Sequence, residues 1–554
     1  MADEPRPAEA AAPGASVEGD AAPPAPLPLE KGGPAGPVVD AILARSLTRW
    51  GIGEAALVIF GALLVAWLGL KTEVFTIDSY YYLSKARSLA QGHWLTIPWG
   101  DGLDRKFFWG YSLVLAIPMK LFGESAFWLV SALLYGWTGL VLARIFRMLP
   151  MAPATRFGAM ALSMLNPVAL WWSSVPMSEG LLVALAVTSV YFGLRYRLGA
   201  ARREVLWAAL IGGLSFLTRV EGAFMALVLV ALCGRRLWQE KRWALFGMCI
   251  AVFAAPEALH VTYLRAIALE SKGLIAYLDE ARAHFKEFNF FDGMWRHLRA
   301  PFWMIFRFDT EPWLYARFFP IWLTVLQGIV TVLYLGGIVA ALIQGIFPKR
   351  SYSFGVALGL LAFALLHSLW YYAYERYDYL TYPAAALVFA AGVDSAARWA
   401  RPKVYAGIVL GVTLTCALVS GAYGVQVSRM HAERLKMHQG NRDFRAIAKV
   451  LNDANLEKRP VITDLGPWLA FYLNGRSYFN RYEQDFYDDA VPSGDDGRIF
   501  LAQKKVAAIA SNRPVRDLVR EFNLVEGEYH VLPAPKGQPG VSLIALDLPV
   551  SAGE

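Results

Sequence analysis

The chain carries one uninterrupted apolar run after another, each close to the ~20 residues that a helix needs to cross a bilayer. The first covers 51–70, and others lie near 125–146, 155–174, 177–196, 243–264, 321–347, 351–374, 381–400 and 404–425. Between 205 and 234, two shorter runs flank Thr218-Arg219-Val220-Glu221-Gly222. So short a stretch with a charged turn predicts two short helices rather than one span. Of the 554 residues, 56% are hydrophobic and 18% charged, against about a quarter charged in soluble domains. That excludes a disordered scaffold and a single soluble core. Cys233, Cys249 and Cys416 all sit inside apolar runs and offer neither a disulfide framework nor a zinc spacing.

Basic residues set the orientation. Clusters around Arg45, Arg147, Arg197, Arg236, Lys349 and Arg401 fall in every second connection, as cytoplasmic loops do. This alternation gives about eleven spans and places 71–124, 265–320 and 426–554 on the outer side. The run 107–122 is apolar enough for a helix, but a crossing there flips every later cluster to the wrong face. It is therefore expected to lie along the membrane surface. The net charge of +8 is thus a topology signal. After residue 426 the 17 Lys and Arg balance 17 Asp and Glu, so no nucleic-acid partner is expected.

Three regions follow. Residues 1–40 are rich in Pro, Ala and Gly and carry seven Asp and Glu against Arg6 and Lys31, a composition that predicts a disordered cytoplasmic tail. Residues 41–425 form the membrane body. Residues 426–554 read as a small α/β domain, with helices at 443–455 and 513–523, strands at 460–464, 505–510 and 541–546, and a turn at 472–476. For this domain, acceptor recognition and plain packing on the outer face are equally open. The loop 265–320 reads either as a lid or as an amphipathic surface.

Chemistry-bearing residues gather on the predicted outer side. The first outer loop opens with Asp78-Ser79-Tyr80-Tyr81-Tyr82, in a helix-forming stretch that stops at Gly92. Taken alone, Asp78 is an N-cap and the tyrosines are headgroup anchors. The same loop holds Asp101, Asp104, Arg105 and Lys106. The next outer loop holds Glu179 after Trp171 and Trp172, which read as aromatic-belt residues. Glu375-Arg376-Tyr377-Asp378 form a later charged turn. Arg219 and Glu221 read equally as a structural pair or as site residues. Glu257, after Pro256 in the outer half of a span, is an intramembrane acid and so a functional candidate, although a kink partner is the plainer reading. His367 reads as a packed histidine.

In their order and membrane side these segments resemble the GT-C glycosyltransferases, closest to the protein mannosyltransferase and lipid A aminoarabinose transferase branch. Asp78, Tyr81, Ala86, Leu89 and Gly92 are similar to the D-x-x-Y-x(4)-A-x-x-L-x-x-G pattern after the first span. Residues 106–123 look like that family's second interfacial helix, Thr218 to Gly222 like its T-R-x-E-G hairpin turn, and Arg376-Tyr377 like its late R-Y motif. The resemblance covers roughly residues 50–400. It departs at Ser79, where many relatives carry a second acid, so Asp101, Asp104 and Glu179 compete for that role. A divalent metal ion is then an option rather than a requirement.

The resemblance implies an all-α polytopic membrane fold with interfacial helices and a small C-terminal α/β domain. It implies a bacterial inner-membrane enzyme with a cytoplasmic N-terminus and a periplasmic C-terminal domain. Such an enzyme moves a sugar from a polyprenyl-phosphate carrier to a glycan, lipid or protein acceptor. Asp78 is the expected general base. Arg376, then Lys106, Arg105 and Arg219, are the expected phosphate partners, with Tyr81 and Tyr82 beside them. The rival expectation is a transporter or flippase of lipid-linked glycans, but no internal repeat of the kind found in transporters is evident. No G-x-G-x-x-G, G-x-x-x-x-G-K-[ST] or H-E-x-x-H occurs, so dinucleotide, P-loop and zinc-protease chemistry have no support.

Overall fold

Each apolar run forms helix, though not always one helix per run. The computed structural model describes residues 51–72, 76–93, 109–123, 126–266, 290–303, 312–346, 352–368, 376–438, 443–454, 456, 459–473, 477–479, 491–535, 538 and 540–548. The expected N-terminal tail and Asp101, Asp104, Arg105 and Lys106 lie outside them. The chain enters through α1 (Ile52–Thr72), followed by α2 (Ile77–Ala90), α3 (Gly110–Phe122) and α4 (Phe127–Met148). Then come α5 (Pro153–Met164), α6 (Pro167–Ser174), α7 (Glu179–Arg197), and the pair α8 (Arg202–Phe216) and α9 (Phe224–Gln239). The body continues with α10 (Trp243–Ala266), α11 (Phe290–Arg299), α12 (Pro312–Phe318), α13 (Ile321–Ile346), α14 (Tyr352–His367), α15 (Tyr382–Ala397) and α16 (Pro402–His438).

Among the described residues six stretches are long and apolar enough to cross a membrane unaided: Ile52–Lys71, Phe127–Met148, Trp243–Thr262, Ile321–Gln344, Tyr377–Ala397 and Val404–Arg434. The other expected spans are shorter or interrupted. The run 155–174 is the clearest difference, because it forms α5 and α6 with a break at Asn166. Pro167 has no amide hydrogen to continue the helix, and the Asn166 side chain caps the new one by accepting from the Ala169 amide at 3.0 Å. Asn166 Nδ2 also donates to the Pro301 carbonyl at 2.7 Å, tying the break to the segment after α11. The hairpin forms two short helices joined by a 3-10 turn at Val220–Ala223. Gly222 is required there, because a Cβ would lie 2.4 Å from the Ser215 backbone. α3 has 13 residues, about 20 Å of helix, too short for a hydrocarbon core of about 30 Å.

The α15 helix is the centre of the body. Tyr382, Ala385, Ala386, Val388, Phe389 and Ala390 are all buried, as expected of a helix surrounded by others. α16 has 37 residues, about 55 Å, and so continues past the expected end of the span at 425. Val427, Met430 and Ala432 hold that extension by packing into the same core.

Ion pairs at one end of the bundle join the expected cytoplasmic clusters. Glu54 takes Arg147 Nε at 3.0 Å and Arg156 Nε at 2.9 Å, and Asp394 takes Thr155 at 2.6 Å and Arg398 at 2.8 Å. The connections that start α2, α7, the 3-10 turn and α15 meet each other instead, as described below.

After α16 the chain forms a small α/β domain of α17 (Phe444–Asp453), β1 (Val461–Thr463), α18 (Pro467–Tyr472), β2 (Ser477–Phe479), α19 (Gly494–Gln503), β3 (Ala508–Ser511), α20 (Val515–Glu521), β4 (Tyr529–Val531) and β5 (Ser542–Leu546). The strand order is β2-β1-β3-β5-β4, with β2, β1 and β3 parallel and β5 antiparallel to both β3 and β4. Alternate strand residues face opposite sides. Val461, Ala508, Ala510, Leu543 and Ala545 pack with α17 and α18, while Ile462, Ile509 and Ile544 pack with α19 and α20. The expected strands and helices are present. β2, β4, α18 and α19 are additional.

Candidate active site

Asp78 is not the cap of its helix. Thr76 takes that place, accepting from the Ser79 amide at 3.2 Å, while Ser79 Oγ accepts from the Thr76 amide at 3.1 Å. This reciprocal capping box gives Ser79 a role at the position where an acid was missing. Asp78 stands in the first turn, where the helix dipole favours a carboxylate. Its Oδ2 accepts from Arg376 Nη1 at 2.6 Å. The two side chains are 23% and 24% exposed, so the pair is partly reachable from solvent.

Arg376 ends the segment before a 3-10 turn at Tyr377–Thr381 that leads into α15. Burial disfavours its charge, but Asp78 and then Tyr377 outweigh that and keep the guanidinium above its ordinary range. Its Nη2 donates to Tyr377 Oη at 3.3 Å. The Tyr377 ring also lies 5.7 Å from the Arg219 guanidinium carbon, so one aromatic ring stands beside both arginines.

Arg219 joins three elements. Its Nη1 donates to Glu179 Oε1 at 2.6 Å, and its Nε and Nη2 grip both oxygens of Glu221 at 3.1 and 2.7 Å. The hairpin turn is thereby fixed to the first turn of α7. Glu179 is fully buried, and its Oε2 has no hydrogen-bond partner among the described residues. Next to it, Ser178 Oγ and Tyr82 Oη are 2.9 Å apart, which ties α2 to the same corner. Beneath lie His297 and Asp378, paired at 2.8 Å.

Asp78, Arg376, Arg219, Glu179 and Tyr82 thus come together from four connections. Tyr81 is buried in α2. The tyrosines do not face headgroups: Tyr80, Tyr81 and Tyr82 are each 3% exposed. Trp171 and Trp172 are not belt residues either, because both are buried and Trp171 stacks on His431 at 4.5 Å. Glu257 is half-buried on α10. His367 is packed among Phe224, Phe363, His297 and Tyr377.

Lys85 is the residue the sequence reading passed over. It lies seven positions after Asp78, hence on the same helix face, and is 1% exposed. A buried lysine is unusual, and only its amphipathic-looking helix hid it. Among the described residues no three His, Cys, Asp or Glu side chains gather in a set able to hold a metal ion.

No protein-family model and no curated protein matches the chain. Solved structures do match in three dimensions, among them two of one protein. ArnT from Cupriavidus metallidurans bound to undecaprenyl phosphate is 14% identical, with a TM-score of 0.54, over 91% of this chain and 100% of that one. The apo state of the same protein is 13% identical, with a TM-score of 0.51, over 84% and 93%. The chain thus shares the fold of that protein, a helical body followed by a small C-terminal sheet.

Proposed function

We propose that this chain is a multi-pass inner-membrane glycosyltransferase that moves a sugar from a polyprenyl-phosphate carrier to an acceptor on the periplasmic side. The observation that carries the reading is the open Asp78–Arg376 pair, 2.6 Å apart, with Arg219 sharing Tyr377 beside it. A carboxylate and two guanidiniums are what this reaction needs. The acceptor hydroxyl oxygen attacks C1 of the sugar, its proton passes to Asp78, and the bond from C1 to the phosphate oxygen breaks with inversion. Charge growing on the departing polyprenyl phosphate is met by Arg376 and Arg219. A phosphate competing for Arg376 also releases an Asp78 oxygen to face the acceptor. Donor binding thus prepares the base.

The fold match supports the same chemistry, because the ArnT structure was obtained with undecaprenyl phosphate bound. Tyr82 and Lys85 line the Asp78 face of α2 and complete the donor headgroup site in this reading. The test is transfer of a labelled sugar from polyprenyl phosphate by the purified protein, comparing wild type with Asp78→Asn. Full activity in the variant overturns the assignment of the base. Absence of transfer in the wild type, together with translocation of lipid-linked glycan in vesicles, replaces the reading with a flippase.

A further inference from the structure

The C-terminal domain reaches the Asp78 helix directly. α18 follows strand β1 through Gly466, whose φ of +76° suits glycine, and lies against the side of α2 that carries Tyr80 and Arg87. Tyr80 meets Phe471 and Trp468 edge-on, with ring centroids 5.5 and 6.3 Å apart. Arg87 Nη1 donates to the Phe471 carbonyl, and its guanidinium carbon sits 4.1 Å over the Phe471 ring. That carbonyl belongs to the last turn of α18, where helix carbonyls lack internal partners and a cation is favoured. Phe471 is buried in the core of the helical body. Trp468 stacks on Phe444 of α17 at 5.9 Å and so belongs to the domain.

On its other flank α2 is held by the body. Tyr82 Oη meets Ser178 Oγ, and Ser112 of α3 donates to the Tyr82 carbonyl at 3.0 Å. α2 has 14 residues, a length at which an isolated helix is marginal. Its position, and with it that of Asp78, depends on both flanks.

We infer that the C-terminal domain is a positioning element for α2, and that Arg87, clamped on Phe471, is the residue through which it holds Asp78 opposite Arg376. Arg87 touches no reacting atom in this scheme and acts through the helix. The kinetic part rests on the glycosyl transfer proposed above; the structural part does not.

The experiment uses the full-length protein in detergent or nanodiscs and reads amide hydrogen exchange alongside transfer kinetics. Arg87→Ala is expected to speed exchange of the 77–90 amides about tenfold, the size of a lost charge-assisted hydrogen bond, with α15 unchanged. Arg87→Lys keeps a cation over the ring without the fork and is expected to recover part of the protection. In transfer assays Arg87→Ala lowers kcat with donor KM little changed, and the loss disappears in an Asp78→Asn background, where there is no base left to position. Unchanged exchange in α2 overturns the inference, as does a loss of equal size in both backgrounds. If Arg87→Ala loosens the whole protein, Phe471→Leu, which keeps the carbonyl and removes the ring, replaces it with the same two criteria. A wild type without transfer refutes the glycosyltransferase reading, and the exchange data then still decide the clamp.

Discussion

Asp78 and Arg376, 298 positions apart in the chain, meet at 2.6 Å on the open face of the helical body. The contact explains why Asp78 does not cap its helix, since the Thr76–Ser79 box leaves the carboxylate to reach across. In the proposed reaction Asp78→Asn keeps shape and loses the proton acceptor. Its rate is expected to fall about 10²–10⁴-fold while the protein remains folded, as read by initial rates and by thermal unfolding of the same samples. Wild-type rates in the variant remove Asp78 from the chemistry.

Arg219 makes a second prediction, separable from the first. Glu179→Gln turns one of its two carboxylates in a buried corner into a neutral acceptor, and the difference between a charged and a neutral hydrogen bond there is about 1 kcal/mol. Stability is expected to fall accordingly in denaturant titration. Both a fall in kcat and a rise in donor KM are expected, because Arg219 meets the donor phosphate and the charge that grows on it as the sugar leaves. A variant as stable as wild type, with unchanged KM, makes the Arg219–Glu179 contact at 2.6 Å dispensable.

Much of this arrangement was legible in the sequence, for identifiable reasons. In the alternation read from Arg147, Arg197 and Arg236, the residues Asp78, Glu179, Arg219 and Arg376 all fall in connections of one parity, and these four are the ones that meet. The cap was misread because Thr76 and Asp78 are both good caps, and a residue three hundred positions away decided between them. Lys85 escaped notice since burial is a tertiary property. The break at Asn166 was hidden because hydropathy is blind to backbone hydrogen bonds, although Asn-Pro is a turn signal. β2 and β4 have three residues each, too few for an alternation to register. Nothing local announces that Arg87 will find Phe471.

The Asn166 break is itself testable. Asn166→Ala removes a cap, worth about 1 kcal/mol, and leaves the buried Pro301 carbonyl without its donor, a further cost of about 1–3 kcal/mol. A clear drop in stability is expected, with faster hydrogen exchange in 166–174 and in 300–303. If exchange rises only in the first segment, the Asn166–Pro301 bond contributes nothing to holding α11.

Acidification should loosen the C-terminal domain through Glu528. Burial works against its charge, but the Val525 amide, donating at 3.0 Å, and the Arg498 guanidinium outweigh it and hold the carboxyl below its ordinary range. Its folded form therefore releases the proton more readily than the unfolded chain, where a glutamate titrates near about 4.3. The resulting stabilisation is present above that pH and drains away as pH falls through the lower, folded value. Glu528→Gln lacks this contribution at neutral pH and has none to lose in acid. Cleavage by an acid-active protease, compared between the two chains at each pH, is expected to favour the wild type above the ordinary glutamate range and to converge as pH falls through the lower, folded value. A difference that stays constant across this range assigns Glu528 a packing role and no part in acid sensitivity.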